Sequence, residues 1–168
     1  MRIAVIGTGF IGGTAARVDT LERAIADAEV VVVTLPGQAV DAYLDANGPA
    51  LAGRIVVDVA NRMGQAVPNS AEQVRAKAPG ARYARAFNTL GGEMFEDPIV
   101  GGERADLFFS SDEDARAAVE RLVEAVGLRP VYVGEDQHDV VDGIFKLYFA
   151  LAIGQKHGRR TAFKLLTD

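Results

Sequence analysis

The strongest chemical signal lies near the amino end, in Gly7-Thr8-Gly9-Phe10-Ile11-Gly12, directly behind an apolar run and ahead of a helical pattern. In a turn of this spacing the first glycine permits the tight reversal. The second lets the backbone approach a pyrophosphate, and the third lets helix and strand pack closely. Free N–H groups at the helix start then face the phosphates. The spacing points to a dinucleotide-binding turn, and the plainer alternative is a glycine-rich connection with no ligand. Other chemistries are closed by residue type. The chain has no cysteine, which removes disulfides, thiolate nucleophiles and thiolate metal sites. Its two histidines, His138 and His157, stand apart from other potential ligands, so a zinc centre is not expected. His138 sits in the polar entry to a helix, where capping or solvent explains it. His157 belongs to Lys156-His157-Gly158-Arg159-Arg160, which reads either as a solvated helix end or as a cationic patch for phosphates.

The elements that must position such a turn are legible as alternating patterns. Short β-branched runs place strands near Arg2 to Ile6, Glu29 to Leu35, Arg54 to Asp58, Arg82 to Phe87, Asp106 to Ser110 and Pro130 to Val133. Most are continuously apolar, as strands covered on both faces are. Between them, apolar residues three and four apart predict helices over Leu21 to Ala28, Ala39 to Asp45, Ser70 to Ala78 and Asp112 to Val126, with a last helix from about Asp139 to Gly154. The acidic start Asp112-Glu113-Asp114 suits a helix N-terminus, and Gly127 closes that helix. Strands alternating with helices in this way predict an α/β fold with a mostly parallel sheet. The stretch Asn88 to Arg104 reads as a long irregular loop, well beyond the usual connection of ~4–6 residues, and loops of that length are often functional.

At 168 residues the chain is the size of one average domain, and a single unit spanning 1–168 is expected, with a C-terminal helical segment from about 139. Apolar residues make up 49%, enough to build a core and too many for intrinsic disorder. Eighteen basic against twenty-three acidic side chains leave a net charge of −5, so no overall positive field is present to hold a nucleic acid or an anionic membrane. The longest apolar stretch, Ile144 to Ile153, contains Lys146 and is too short to span a bilayer. The start shows no signal-peptide pattern, and a cytoplasmic location is expected.

The segment after the glycine turn is unusual. A dinucleotide fold ordinarily continues through a full helix, a second strand ending in a ribose-reading acid, and another helix. Here the chain passes almost at once to Val18-Asp19-Thr20-Leu21-Glu22, where Asp19 or Thr20 reads as an N-cap. Asp27 and Glu29 precede or begin a strand instead of ending one, and read as surface charges. Arg17 could reach a 2′-phosphate, with an ordinary exposed helix arginine as the plainer role. These residues leave NAD against NADP open.

The opening Arg2-Ile-Ala-Val-Ile-Gly-Thr-Gly-Phe-Ile-Gly-Gly-Thr14, with Val31-Val-Val-Thr-Leu-Pro36, Ile55-Val-Val-Asp-Val-Ala-Asn61, Ala86-Phe-Asn-Thr-Leu90 and Gly158-Arg-Arg-Thr-Ala-Phe-Lys-Leu-Leu166, resembles the NADP oxidoreductases dependent on coenzyme F420 and the NAD(P)-binding reductases similar to them. The resemblance runs from Arg2 to Leu166. It implies a Rossmann-like, doubly wound fold lacking part of its first nucleotide-binding half, because about thirty residues, the size of one βαβ unit, are missing after Thr14 or Arg17. In the family that segment reads the NADP 2′-phosphate. Either the natural chain is shortened or the sequence lacks a piece, and a measured mass of 17.8 kDa would assign the former.

The resemblance implies an oxidoreductase that transfers hydride between NADP(H), with NAD possible, and a deazaflavin such as coenzyme F420 or a flavin. Such a reaction needs two rings held close and aligned more than it needs an acid or base. No catalytic acid, base or nucleophile is assigned. Besides Gly7, Thr8, Gly9, Phe10, Ile11 and Gly12, the residues expected around the cofactor lie at strand carboxyl ends: Thr34, Leu35, Pro36, Asn61, Asn88 and Thr89. Each has a plainer reading, since Pro36 stops a strand and the asparagines suit turns. A nucleotide-binding module without turnover and a reductase of small imines are the alternatives. The apolar run around Ile144, Phe145, Leu147, Tyr148, Phe149 and Leu151 suits a core or a symmetric contact, and the resemblance implies a homodimer.

Overall fold

Four strands build the first half of the structure, the first three rich in branched apolar residues. β1 (Ile3–Ile6), β2 (Val30–Val33), β3 (Ile55–Asp58) and β4 (Arg82–Arg85) pair in parallel and in chain order, with Ile3 opposite Val30, Val30 opposite Ile55, and Ile55 opposite Arg82. The computed structural model describes residues 1–7 and 20–168, in two compact units, Met1–Arg85 and Ala86–Asp168.

In the first unit α1 (Leu21–Asp27), α2 (Val40–Asn47) and α3 (Ala71–Lys77) connect successive strands. Thr20 caps α1 by accepting the Arg23 N–H at 3.5 Å, as a threonine N-cap should. Gly48–Leu51 forms a 3₁₀ turn before β3. Every residue of β2 and β3 is buried, which explains the unbroken apolar sequence of β2 and of Ile55 to Val57. Ile25 of α1, Leu44 of α2, Leu51 and Val74 of α3 pack into one core with Val31, Val56 and Tyr83.

The second unit begins with a 3₁₀ turn, Gly92–Phe95, and a small antiparallel hairpin of β5 (Ile99–Val100) and β6 (Glu103–Arg104). The stretch expected to be irregular is therefore partly ordered. Two-residue strands with Gly101 and Gly102 between them leave too little period-2 pattern to be read from sequence. β7 (Asp106–Ser111) pairs in parallel with β8 (Arg129–Tyr132) across α4 (Glu113–Ala125). At the end of α4 the N–H of Gly127, at φ +81°, reaches Glu124 O at 2.9 Å, and Leu128 N reaches Val123 O at 3.2 Å. That is the paired-carbonyl closure in which glycine relieves the left-handed backbone. α5 (His138–Phe149) packs against β7 and continues as a π turn over Ala150–Gly154.

The six expected strands and five expected helices are all present, with ends within two residues of the sequence reading except that α5 stops at Phe149 and reaches Gly154 only through the π turn. Among the described residues no helix is long and apolar enough to cross a membrane.

Candidate dinucleotide site

In the first unit the carboxyl ends of β1, β2 and β3 lie side by side, because the strands pair in parallel and in register. Gly7 follows β1 at φ +118°, and a Cβ there would stand 2.7 Å from Thr34 Oγ1 and 3.1 Å from Thr34 O. Both backbone angle and space demand glycine. Thr34 binds Ile6 O twice, through its N–H at 2.9 Å and its hydroxyl at 3.0 Å. β1 and β2 are thus closed against each other where the glycine turn begins. Thr8, Gly9, Phe10, Ile11 and Gly12 lie outside the described residues, as does Arg17.

Thr34 and Leu35 are half-buried and Pro36 is exposed. The next residue, Gly37, has no room for a side chain, since its Cβ would fall 2.4 Å from Asn61 O and 2.7 Å from Arg62 Cα. The loop after β2 therefore rests on the backbone after β3, bringing Thr34, Leu35, Pro36 and Asn61 to one edge. Arg62 ties the same loop to the first turn of α2 through Asp41 at 2.7 Å.

Beneath Asn61 lies a network that sequence reasoning missed. The Asp58 carboxylate, buried at the end of β3, accepts from Tyr83 Oη at 2.7 Å, Ser70 N at 2.8 Å and Ala60 N at 3.0 Å. Arg85, fully buried on β4, places Nη1 3.6 Å from Asp58 Oδ2 and donates it to Ala60 O at 2.5 Å. Its Nη2 donates to Asn61 Oδ1 at 2.7 Å. Burial, reinforced by the Asp58 charge, pushes the Tyr83 phenol well above its ordinary range, so Tyr83 is a permanent donor here. The available signal was an arginine inside a strand otherwise fit for a core: Arg85 had to find several acceptors or not be buried at all.

Asn88 and Thr89 belong to the second unit. They follow Phe87, which holds φ +63°, a region costly for a bulky residue. Asn88 is 3% and Thr89 2% exposed, yet Asn88 Oδ1, Asn88 Nδ2 and Thr89 Oγ1 have no hydrogen-bond partner among the described residues. Buried polar atoms are nearly always paired, so these three atoms are candidates for bonding to a ligand or water. The neighbouring loop is held by Tyr148, whose hydroxyl donates to Arg159 O at 3.0 Å, and by Arg159 Nε on Glu93 at 2.6 Å. Hydrogen bonding from Arg159 keeps the Glu93 carboxyl below its usual range. Arg160 reaches Asp97 at 2.7 Å. The arginines of the basic cluster are thus committed to this loop. His138 is buried at the start of α5 and not solvent-exposed, because the helix turns that position toward its packed face.

The glycine cradle beside Thr34 in the first unit is compatible with a bound dinucleotide. Among the described residues no cluster of three or more His, Cys, Asp or Glu could hold a metal ion.

The geometry is that of an α/β protein with a mostly parallel sheet, and solved structures share it. A candidate F420-dependent NADP reductase from Arthrobacter sp. FB24 superposes with a TM-score of 0.79 at 22% identity, over 99% of this chain and 100% of that one. A hypothetical protein from Sinorhizobium meliloti gives 0.59 at 28% identity, over 88% and 71%. A reductive aminase from Aspergillus terreus, in complex with NADPH and ethyl-5-oxohexanoate, gives 0.64 at 23% identity over 92% of this chain, which spans 61% of that enzyme. These likenesses establish the mostly parallel, Rossmann-like α/β fold. No family model and no curated protein matches the chain.

Proposed function

We propose that the chain is an NAD(P)-dependent oxidoreductase that passes hydride between NADP(H) and a deazaflavin such as coenzyme F420, or a flavin. The observation carrying this reading is Gly7: a positive-φ glycine ends β1 against Thr34 and opens the glycine turn, at the strand edge where ligands of open α/β sheets bind. Gly9 and Gly12 complete the spacing that brings backbone to a diphosphate.

The bound dinucleotide supplies the hydride, and the chain's residues bind and orient. The turn from Gly7 to Gly12 holds the diphosphate through backbone N–H groups. Thr34, Leu35 and Pro36 form a wall beside it, and Asn61 offers amide donors from a fixed carboxamide. In the second unit Asn88 and Thr89 supply buried donors and acceptors for ligand polar atoms. Such positioning requires no nucleophile or metal. The similarity to NADP-linked structures supports the cofactor class, and the resemblance in sequence supports the deazaflavin. The absence of cysteine suits a reducing cytoplasm, and the exposed apolar face of α5 suits a homodimer.

The test is to mix the protein with NADPH and either coenzyme F420 or FMN under anaerobic conditions. Loss of NADPH absorbance matched by acceptor reduction is the expected result. Saturable NADPH binding with no oxidation would assign a binding module instead, and oxidation only on adding a cyclic imine would assign imine reduction.

A further inference from the structure

The loop after β3 is fixed at both ends and bare at its tip. It leaves the sheet at the carboxyl end of β3 and returns at the start of α3. Both ends bind one buried carboxylate: Asp58 Oδ1 accepts from Ala60 N at 3.0 Å, and Asp58 Oδ2 from Ser70 N at 2.8 Å. Arg62 N closes the neck on Pro68 O at 3.0 Å, while the Arg62 guanidinium reaches Asp41 of α2. Gly37 backs the same neck against Asn61 O and Arg62 Cα.

The tip itself is ordered by a turn. Gln65 N reaches Arg62 O at 3.1 Å, and Gly64 between them holds φ +83°. That is a type II turn with Met63 second and glycine third, where the positive angle is required. Residues 63–67 are all exposed, Met63 to 62% and Val67 to 51%. No charged side chain occurs in residues 63–71. A single exposed apolar residue is ordinary. Here two share one uncharged tip, on a neck held by the buried Asp58 and Arg85 pair, and such preorganisation lowers the cost of binding.

The position of the loop says what the tip meets. It stands beside the loop after β2, at the carboxyl edge of parallel strands where ligands of open α/β sheets bind. Thr34, Leu35 and Asn61 are part-buried and form the inner layer of that edge, and the exposed tip forms its outer layer. Hydride transfer needs a second ring laid close on the nicotinamide. A ring that enters and leaves needs an adaptable cover, which an unbranched thioether supplies together with favourable sulfur contacts to aromatic edges.

Resting on the oxidoreductase reading, we propose that Met63 and Val67 are the apolar cover for the ring of the hydride acceptor, a fused heteroaromatic ring of the flavin or deazaflavin kind. They set the affinity for the acceptor and not the affinity for the dinucleotide.

The test is to titrate the full chain, saturated with NADP, with FMN and with coenzyme F420, following the fluorescence of each, and to measure NADPH affinity by calorimetry on the same samples. Met63→Ser combined with Val67→Ser should weaken acceptor binding by about tenfold and leave NADPH binding within about twofold of the parent. Met63→Leu keeps the apolar area and should bind the acceptor as the parent does. Both positions are exposed, so the urea midpoint of either variant should stay at the parent value. Unchanged acceptor affinity in the doubly substituted chain overturns the inference. An equal loss of NADPH affinity also overturns it, because the tip then belongs to the dinucleotide. A parent that binds neither acceptor overturns the oxidoreductase reading itself, a result seen before any substitution is made and so distinct from a failure of the two residues.

Discussion

Arg85 donates Nη2 to Asn61 Oδ1 at 2.7 Å from a guanidinium with no exposed surface. A guanidinium has donors only, so the amide must turn its oxygen inward and keep its nitrogen for something else. The buried arginine thereby sets the polarity of the group that Asn61 presents at the sheet edge. Asn61→Asp retains an acceptor for Arg85 and should fold, but it replaces two donors with a second anionic oxygen. Binding of NADPH should weaken by about tenfold, or about 1.4 kcal/mol, with the unfolding midpoint nearly unchanged. Calorimetry and urea denaturation on the same sample check both halves. Unchanged affinity would remove Asn61 from the site.

Removing the arginine itself acts on stability. Arg85→Met leaves the buried Asp58 carboxylate without its cation and Ala60 O and Asn61 Oδ1 without their donor. Breaking one side of such a buried pair costs about 3–5 kcal/mol. Urea unfolding should show that loss, and a variant within about 1 kcal/mol of the parent would contradict the network.

Asn88 calls for the opposite sign. Its two amide atoms are buried and have no partner among the described residues, so replacing it with leucine, of similar volume and wholly apolar, removes a desolvation cost of about 1–3 kcal/mol. Asn88→Leu should therefore raise the stability of the ligand-free protein while lowering turnover of NADPH. Gain of stability with loss of activity is what a group held for a ligand produces. A leucine variant that is both less stable and fully active would make Asn88 a structural residue.

Much of the fold is legible in one dimension. Continuous apolar runs mark β2 and β3 because both faces of each strand are covered. Gly127 marks the end of α4 because its left-handed backbone angle is cheap only for glycine. Gly7 is identified by spacing. Arg85 and Asp58 are not, because their roles depend on pairing across β3 and β4, which one-dimensional patterns do not contain. The position of β1 beside β2 is likewise invisible in one dimension, and only the pairing register shows it. The orphaned atoms of Asn88 and Thr89 require burial to be known residue by residue.

Asp106 gives a pH dependence. Burial favours its neutral form, but Arg129 Nε at 2.6 Å and Leu165 N at 2.7 Å, with the charges of Arg129 and Lys164, outweigh this and hold the carboxyl below its usual value. A folded-state value below the unfolded one stabilises the protein above the unfolded carboxylate range, and that contribution is lost as pH falls through the folded value. The same contacts pin the C-terminal tail at Phe163 and Leu165 to β7. Acidification from about pH 7 toward 3 should lower stability, and Asp106→Asn should lower stability near neutral pH and flatten the dependence. Urea midpoints across that range decide it, and equal slopes for parent and variant would exclude Asp106 as the source.

The outer face of α5 supplies the last expectation. Val140, Ile144, Leu147 and Leu151 recur at spacings of four, three and four, with Val140 and Leu147 43% and 50% exposed. That spacing is the one with which a helix presents an apolar stripe to a partner. Gly143, whose absent side chain would meet nothing within 4 Å, lies beside it. If a second copy packs antiparallel about a two-fold axis at Leu147, Leu151 of one copy falls opposite Gly143 of the other and Ile144 opposite Ala150, so large residues meet small ones. The exposed acidic start at Asp136 and Asp139 then approaches the exposed Lys156 beyond the far end. The chain should elute with twice its 17.8 kDa mass by light scattering, and Leu147→Glu, which buries two like charges at the axis, should give the single mass while retaining the far-ultraviolet signature of a folded protein. A parent that remains monomeric at high micromolar concentration would show that this face is not a self-association surface.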